Sequence, residues 1–244
     1  MAEIHGSDLL GALHPPDMDL LSRSLESVDF KTGHILYEPG DDVRFAYFPR
    51  GSAITTFHVL MADGAAVQTA LVGSEGAVGG IVSHGGVPAF ARSCVMHGGS
   101  FYRISVQNLE EVARESIRLR YLLSRYADCL LAQIFQSVAC NAVHTIEQRA
   151  AKWLVAAMNR TGRSEIAMTQ DQLASLLGVG RTYISRVVQR MKAEGLITTR
   201  RGAILIDEPE KLRRKSCHCD HLVALHFETV LKGVYSETAN GNGK

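Results

Sequence analysis

Three groups of residues in this chain have types and spacings that could do chemistry. The first is Arg181, Thr182, Ser185, Arg186 and Gln189, which share one side of a helical repeat. Apolar Ile184, Val187, Val188 and Met191 occupy the other side. Guanidinium, hydroxyl and amide groups in such a row can read base edges in a DNA major groove. The second group is Gly79-Gly80 followed by Arg92-Ser93. In the second group, a guanidinium beside a hydroxyl suits a phosphodiester. The third is Cys217-His218-Cys219-Asp220-His221, in which Cys217, Cys219 and His221 are donor types for a metal. A C-x-C pair suits a tetrahedral ion less well than C-x-x-C, and the neighbouring sequence offers no second pair. No metal is therefore assigned, and a capping helix that happens to contain cysteines competes with a metal- or thiol-responsive switch. Nothing resembles a nucleophile elbow, a P-loop or a metal-hydrolase helix, so the chain is not expected to be an enzyme.

The elements that must position the first group can be read from the same stretch. Thr169 supplies an N-cap oxygen, and Leu173, Leu176 and Leu177 follow at helical spacing. Gly178 ends that helix where a left-handed residue is wanted. A second helix is expected from Arg181 to about Glu194. Gly195 stops it, Leu196–Thr199 and Ala203–Ile206 read as strands, and Arg200-Arg201-Gly202 forms a basic turn between them. Two helices and a hairpin in that order make a winged helix-turn-helix. Gln170 and Tyr183 lie beside the row, so the expected DNA contacts are Thr169, Gln170, Arg181, Thr182, Tyr183, Ser185, Arg186, Gln189, Arg200 and Arg201.

Charge supports the same assignment. The net charge of the 244 residues is only +1. Residues 145–216 nevertheless carry 14 Lys and Arg against 7 Asp and Glu, whereas residues 1–144 carry 10 against 15. A basic module joined to an acidic one suits phosphate binding by one part alone. Five scattered cysteines fit a reducing compartment better than a disulfide scaffold. With no signal peptide and no apolar run of membrane-spanning length, the expected location is the cytoplasm, away from any membrane.

The motifs T-Q-D-Q-L-A-S-L-L-G, R-T-Y-I-S-R and E-G-L-I with the basic hairpin resemble the DNA-binding domain of the Crp/Fnr superfamily of bacterial transcription regulators. The resemblance implies that Arg181, Thr182, Ser185 and Arg186 face base edges, with Arg186 placed to contact guanine O6 and N7. Thr182 stands where family members usually carry Glu, so the usual half-site sequence is not expected. The resemblance also implies double-stranded DNA, RNA polymerase and a second copy of the chain as partners.

The remaining sequence fits that outline. Residues 1–28 read as a helical lead-in, broken at His14-Pro15-Pro16. Short strands follow at His34–Tyr37, Phe45–Phe48, Ala53–Leu60, Ala65–Leu71 and Ser100–Ile104, separated by regular turns as in a sandwich or jelly roll. In the family this is a β-roll in which the glycine turn and an Arg-Ser pair bind a cyclic nucleotide. Gly79, Gly80, Arg92 and Ser93 match those positions. Gly80, however, stands where a ribose-binding Glu is expected, and Gln133, Gln136 and Ser137 replace the Thr-Ser pair that reads adenine. No cofactor is therefore assigned and cAMP is not expected. A roll without a known ligand, an altered anionic ligand on Arg92, or a structural ion pair at Arg92 remain the readings of this site.

Val106–Glu115 reads as a small helix, and a long one runs from about Ile117 through Asn141. Leu123, Ala127, Leu130, Ile134, Ser137 and Asn141 recur in steps of four and three, with Leu119, Leu122, Tyr126 and Leu131 widening the stripe; this is the pattern of a dimerisation seam, against a helix packed only on its own β-roll. A hinge is expected at Asn141–His144, then a helix over Thr145–Asn159. The tail Leu222–Tyr235 is expected to be helical and Ser236–Lys244 disordered. The expected fold class is α+β, with a double-stranded β-helix sensor domain over 1–110 and a dimerisation helix over 111–143. A winged helix-turn-helix over 144–212 and a tail over 213–244 complete it. The function that follows is a dimeric, sequence-specific transcription regulator under an unidentified signal. A ligand-binding module with little DNA binding is the other class kept beside the tail switch.

Overall fold

The computed structural model describes residues 5–62, 66–81 and 86–232. The chain forms two compact units that do not follow chain order. One comprises 1–56, 71–133 and 223–244, and the other 57–70 and 134–222.

The first unit opens with two short helices, α1 (Asp8–Gly11) and α2 (Pro15–Ser22). The lead-in is broken at His14-Pro15-Pro16 as expected, and Pro15 and Pro16 start α2, because their fixed φ suits the first helical turn. Strands β1 (Glu26–Phe30), β2 (Ile35–Tyr37), β3 (Phe45–Pro49), β4 (Ile54–Leu60), β5 (Ala66–Val72), β6 (Arg92–His97) and β7 (Gly99–Ser105) follow. They make two antiparallel sheets, ordered β1-β7-β3 and β2-β6-β4-β5. The regular strand spacing thus yields the expected β-roll. Two strands differ from the expectation. β1 lies inside what reads as helical lead-in, and β6 coincides with Arg92-Ser93. β1 is held by pairing with β7, Glu26 opposite Arg103 and Phe30 opposite Gly99, a register that no local pattern reveals. The expected turn at Asp63-Gly64 and the first residue of the expected strand from Ala65 lie outside the described residues.

Helix α3 (Val106–Glu115) is capped by Ser105, whose side chain accepts from the Asn108 amide. The 27-residue α4 (Ile117–Val143) follows. Leu119, Leu122, Leu123 and Tyr126 of α4 are buried in a core with Leu9, Leu10, Leu21, Phe48 and Ile104. The Tyr126 hydroxyl donates to the Ala77 carbonyl at 3.0 Å, so a fully buried polar tip keeps a partner.

Along the expected dimer seam Leu123 is covered by the chain's own core, whereas Ala127, Leu130, Ile134 and Ser137 are half-buried and Asn141 is exposed. Beside them Leu131, Phe135 and Val138 form a stripe on α4 that is 46, 63 and 65 % exposed. Periodicity alone cannot tell which part of an apolar stripe the protein's own core covers.

The second unit contains α5 (Ile146–Thr161), β8 (Glu165–Ile166), α6 (Gln170–Leu177) and α7 (Arg181–Ala193). These are followed by β9 (Ile197–Arg200), β10 (Ala203–Ile206), α8 (Pro209–Lys215) and the start of α9 (Cys219–Lys232). β8 is an unexpected third strand that pairs with β10, giving the order β8-β10-β9. The outer parts of β4 and β5 belong to this unit. Trp153 Nε1 donates to Gln68 Oε1 at 2.8 Å, and Ser175 Oγ to the Ala66 carbonyl at 3.0 Å. The tail helix begins three residues before the expected Leu222. Its expected end at Tyr235 and the segment Ser236–Lys244 lie outside the described residues. Among the described residues no helix is long and apolar enough to cross a membrane.

Candidate nucleic-acid interface

The helix pair is built as its capping residues require. The Thr169 side chain accepts from the Gln172 amide at 3.1 Å, and Gln172 Oε1 accepts from the Thr169 amide at 2.8 Å, a reciprocal capping box. Gly178 closes α6 at φ +66°, a conformation that costs glycine least. α7 then starts at Gly180 and presents Arg181, Thr182 and Tyr183 in its exposed first turn. Its buried face is Ile184, Val187, Val188 and Met191, as the pattern requires. Helix N-termini attract anions, so this first turn suits a phosphate as well as a base edge.

Arg186 and Gln189 are exposed on the outer face, and neither side chain makes a hydrogen bond or ion pair within the described residues. Two neighbours are engaged. Arg181 Nε lies 3.1 Å from Asp171 Oδ1, with both side chains mostly exposed, a pair that a phosphate can displace at little cost. Ser185 Oγ donates to Gln170 Oε1 at 2.9 Å and so fixes α6 against α7. Arg200 and Arg201 stand exposed at the hairpin tip, where Gly202 has φ +74°.

Arg149 is a positioning residue that the sequence pattern does not single out. It is 9 % exposed, and its Nη2 donates to the Leu177 carbonyl at 3.0 Å, holding the end of α6 on α5. Burial lowers its pKa, an effect opposed by Cys140 and Cys217 nearby. Lys215 of α8 ties to Glu147 Oε1 at 2.9 Å and also to Glu194, while Arg190 reaches Glu147 Oε2 at 2.9 Å. The Lys215 hydrogen bond holds the Glu147 carboxyl below its ordinary range.

The β-roll residues are arranged differently. Arg92 Nε is bonded to Glu38 Oε2 at 2.9 Å, and this hydrogen bond raises the guanidinium pKa. Ser93 is buried, and its Oγ has no hydrogen-bond partner among the described residues. Gly79 has φ +92°, and a Cβ there would collide with the Phe45 carbonyl; at Gly80 it would collide with Val106. Both glycines are thus required by packing within the roll. Gln133 donates to the Leu71 carbonyl at 3.1 Å, and Gln136 to Cys219 Sγ at 3.2 Å.

Cys217 and Cys219 are brought together in the second unit, but with Cys140 and His144 rather than with His221. One donor atom from each of Cys140, His144, Cys217 and Cys219 lies within 4.8 Å of the others. His221 is exposed and outside the group. The expectation that no second pair completes the C-x-C is therefore corrected. The second pair is Cys140-x-x-x-His144, one helical turn at the end of α4, which folding brings next to the tail.

Residues 148–215 match the Crp-like helix-turn-helix domain. No curated protein matches the chain. Among solved structures, FixK2 from Bradyrhizobium japonicum is 14 % identical with a TM-score of 0.66, covering 79 % of this chain and 98 % of its own. The c-di-GMP responsive global regulator CLP from Xanthomonas campestris is 15 % identical with a TM-score of 0.66, covering 80 % and 100 %. A CooA variant from Carboxydothermus hydrogenoformans is 15 % identical with a TM-score of 0.59, covering 89 % and 98 %. At these identities the likeness is one of fold: the chain shares with these structures a β-roll, a long helix and a helix-turn-helix, the last within the segment that matches the Crp-like domain.

Proposed function

We propose that this protein is a homodimeric regulator that binds specific double-stranded DNA sites and acts in the cytoplasm with RNA polymerase as a partner. The observation that carries the reading is the outer face of α7. It offers Arg181, Thr182, Arg186 and Gln189 to solvent, backed by a buried apolar face, within a Crp-like domain. Arg186 supplies the bidentate contact to guanine, and Arg200 and Arg201 supply phosphate contacts from the hairpin. Thr182 offers a hydroxyl and a methyl in place of a carboxylate, so the half-site departs from the family's usual one.

Two recognition helices must reach successive major grooves, which calls for a two-fold partner. The exposed stripe Leu131, Phe135 and Val138 on α4 supports that pairing. The signal enters at the β-roll by favouring one arrangement of the dimer over another. cAMP is not that signal, because Gly80 leaves the ribose without its carboxylate and Arg92 is already bonded to Glu38.

Selection of bound duplexes from a random pool tests the reading directly. The expected product is a palindrome whose half-sites are about one helical turn apart, bound with a steep salt dependence. A sedimenting monomer with no preferred duplex, with or without cell extract, would overturn it.

A further inference from the structure

We infer that Cys140, His144, Cys217 and Cys219 form a tetrahedral zinc site that fastens the tail to the end of α4. The site is independent of the DNA reading, since its evidence is donor geometry and its readout is bound metal. Cys140 Sγ lies 3.6 Å from Cys217 Sγ, and Cys219 Sγ lies 3.6 Å from His144 Nδ1. Zinc with sulfur at about 2.3 Å and nitrogen at about 2.0–2.1 Å gives tetrahedron edges of roughly 3.8 Å and 3.6 Å, so these two edges already stand near the required spacing, and all four donors lie within 4.8 Å of one another. The ligands of an iron–sulfur cluster are spread over two or more irons, and four donors that all lie within 4.8 Å of one another leave no room for that. Three soft thiolates and one imidazole are a common structural zinc set.

The surroundings fit a resident ion. Cys140, Cys217 and Cys219 are all buried, with His144 at the edge. Zn2+ entering the site displaces three thiol protons, leaving three thiolates and a neutral imidazole with a net charge of −1. Lys152 Nζ, 3.4 Å from Cys140 Sγ, offsets that charge. Gln136 Nε2 donates to Cys219 Sγ at 3.2 Å. Outer contacts of this kind orient ligands and hold their charge. His144 continues the helical pattern of α4, its amide bonding the Cys140 carbonyl at 3.0 Å, so the two upstream donors share one helix face. The ion would thereby join the end of α4 to the segment that leaves α8, on a stretch that also carries the Lys215 ion pairs.

The experiment uses the full-length chain without a histidine tag, purified under reducing conditions, then stripped with a chelator and titrated with Co2+. The expected result is one equivalent bound per chain, with the absorption of tetrahedral cobalt and thiolate-to-cobalt charge transfer, lost on addition of Zn2+. C140S, C217S and C219S should each lower cobalt affinity by at least about 100-fold, and Gln136→Ala by about 10-fold, the range for an outer contact. C94S, C129S and His221→Ala should retain full stoichiometry. Should a ligand variant fail to fold, the wild-type cobalt spectrum and zinc content decide alone. No bound metal, an octahedral cobalt spectrum, iron–sulfur absorption, or a Cys140–Cys217 disulfide in protein prepared anaerobically with reductant would overturn the site.

Discussion

The outer face of α7 and strand β6 of the β-roll both carry an arginine beside a hydroxyl, yet their side chains are committed very differently. Arg186 reaches into solvent without a protein partner, and its helix is held by a buried apolar face and capped neighbours. Arg92 is bonded to Glu38, and Gly79 and Gly80 are required by Phe45 and Val106. A guanidinium left uncommitted on a rigid support is ready for a ligand at no internal cost. One already bonded must first give up its partner. The difference supports the proposal that recognition lies on α7, and it makes Arg92 a poor anchor for an anion unless Glu38 moves.

Substitutions can break or sharpen this contrast. The largest effect is expected from Ile184→Ala, which removes a fully buried side chain beneath the recognition face. It should cost about 2–5 kcal/mol of stability in denaturant unfolding and abolish DNA binding with it. Arg186→Ala should leave that unfolding curve in place while weakening the selected site by about 1–3 kcal/mol and relaxing preference at one guanine, read by competition between duplexes. An equal loss on every duplex would demote Arg186 to a phosphate contact. Thr169→Ala should cost about 1 kcal/mol of stability by removing half of the capping box, with a modest loss of DNA affinity. Arg92→Ala should be the mildest. Its pair with Glu38 is about a third exposed on each side, so at most about 1 kcal/mol of stability is expected, with site preference unchanged. Calorimetry showing tight cAMP binding that this substitution removes would reverse the contrast between the two regions.

How far the sequence carried depended on how local each signal was. Thr169, Gly178 and the apolar row of α7 act within a few residues of themselves, and the helix-turn-helix was legible from them. The β-roll was legible as evenly spaced strands, but β1 and β8 were not, because their partners are supplied by β7 and β10 rather than by neighbours. On α4 the period shows an apolar stripe but not that Leu123, at its start, is covered by Leu9, Phe48 and Ile104, which is a matter of packing.

The cysteine cluster shows the same limit most clearly. Cys217 and Cys219 were visible as a pair, while Cys140 and His144 lie about seventy residues upstream in an ordinary helical stretch. By itself the sequence determined a Crp/Fnr-type helix-turn-helix, a β-roll, and which face of α7 looks outward. These follow from capping, glycine placement and hydrophobic period, all short-range properties of the chain. Only the tertiary structure decided that Arg92 is bonded to Glu38, that Arg149 holds α6, and that four donors converge at the end of α4. Distances between residues far apart in sequence are fixed by packing, and no local pattern encodes them.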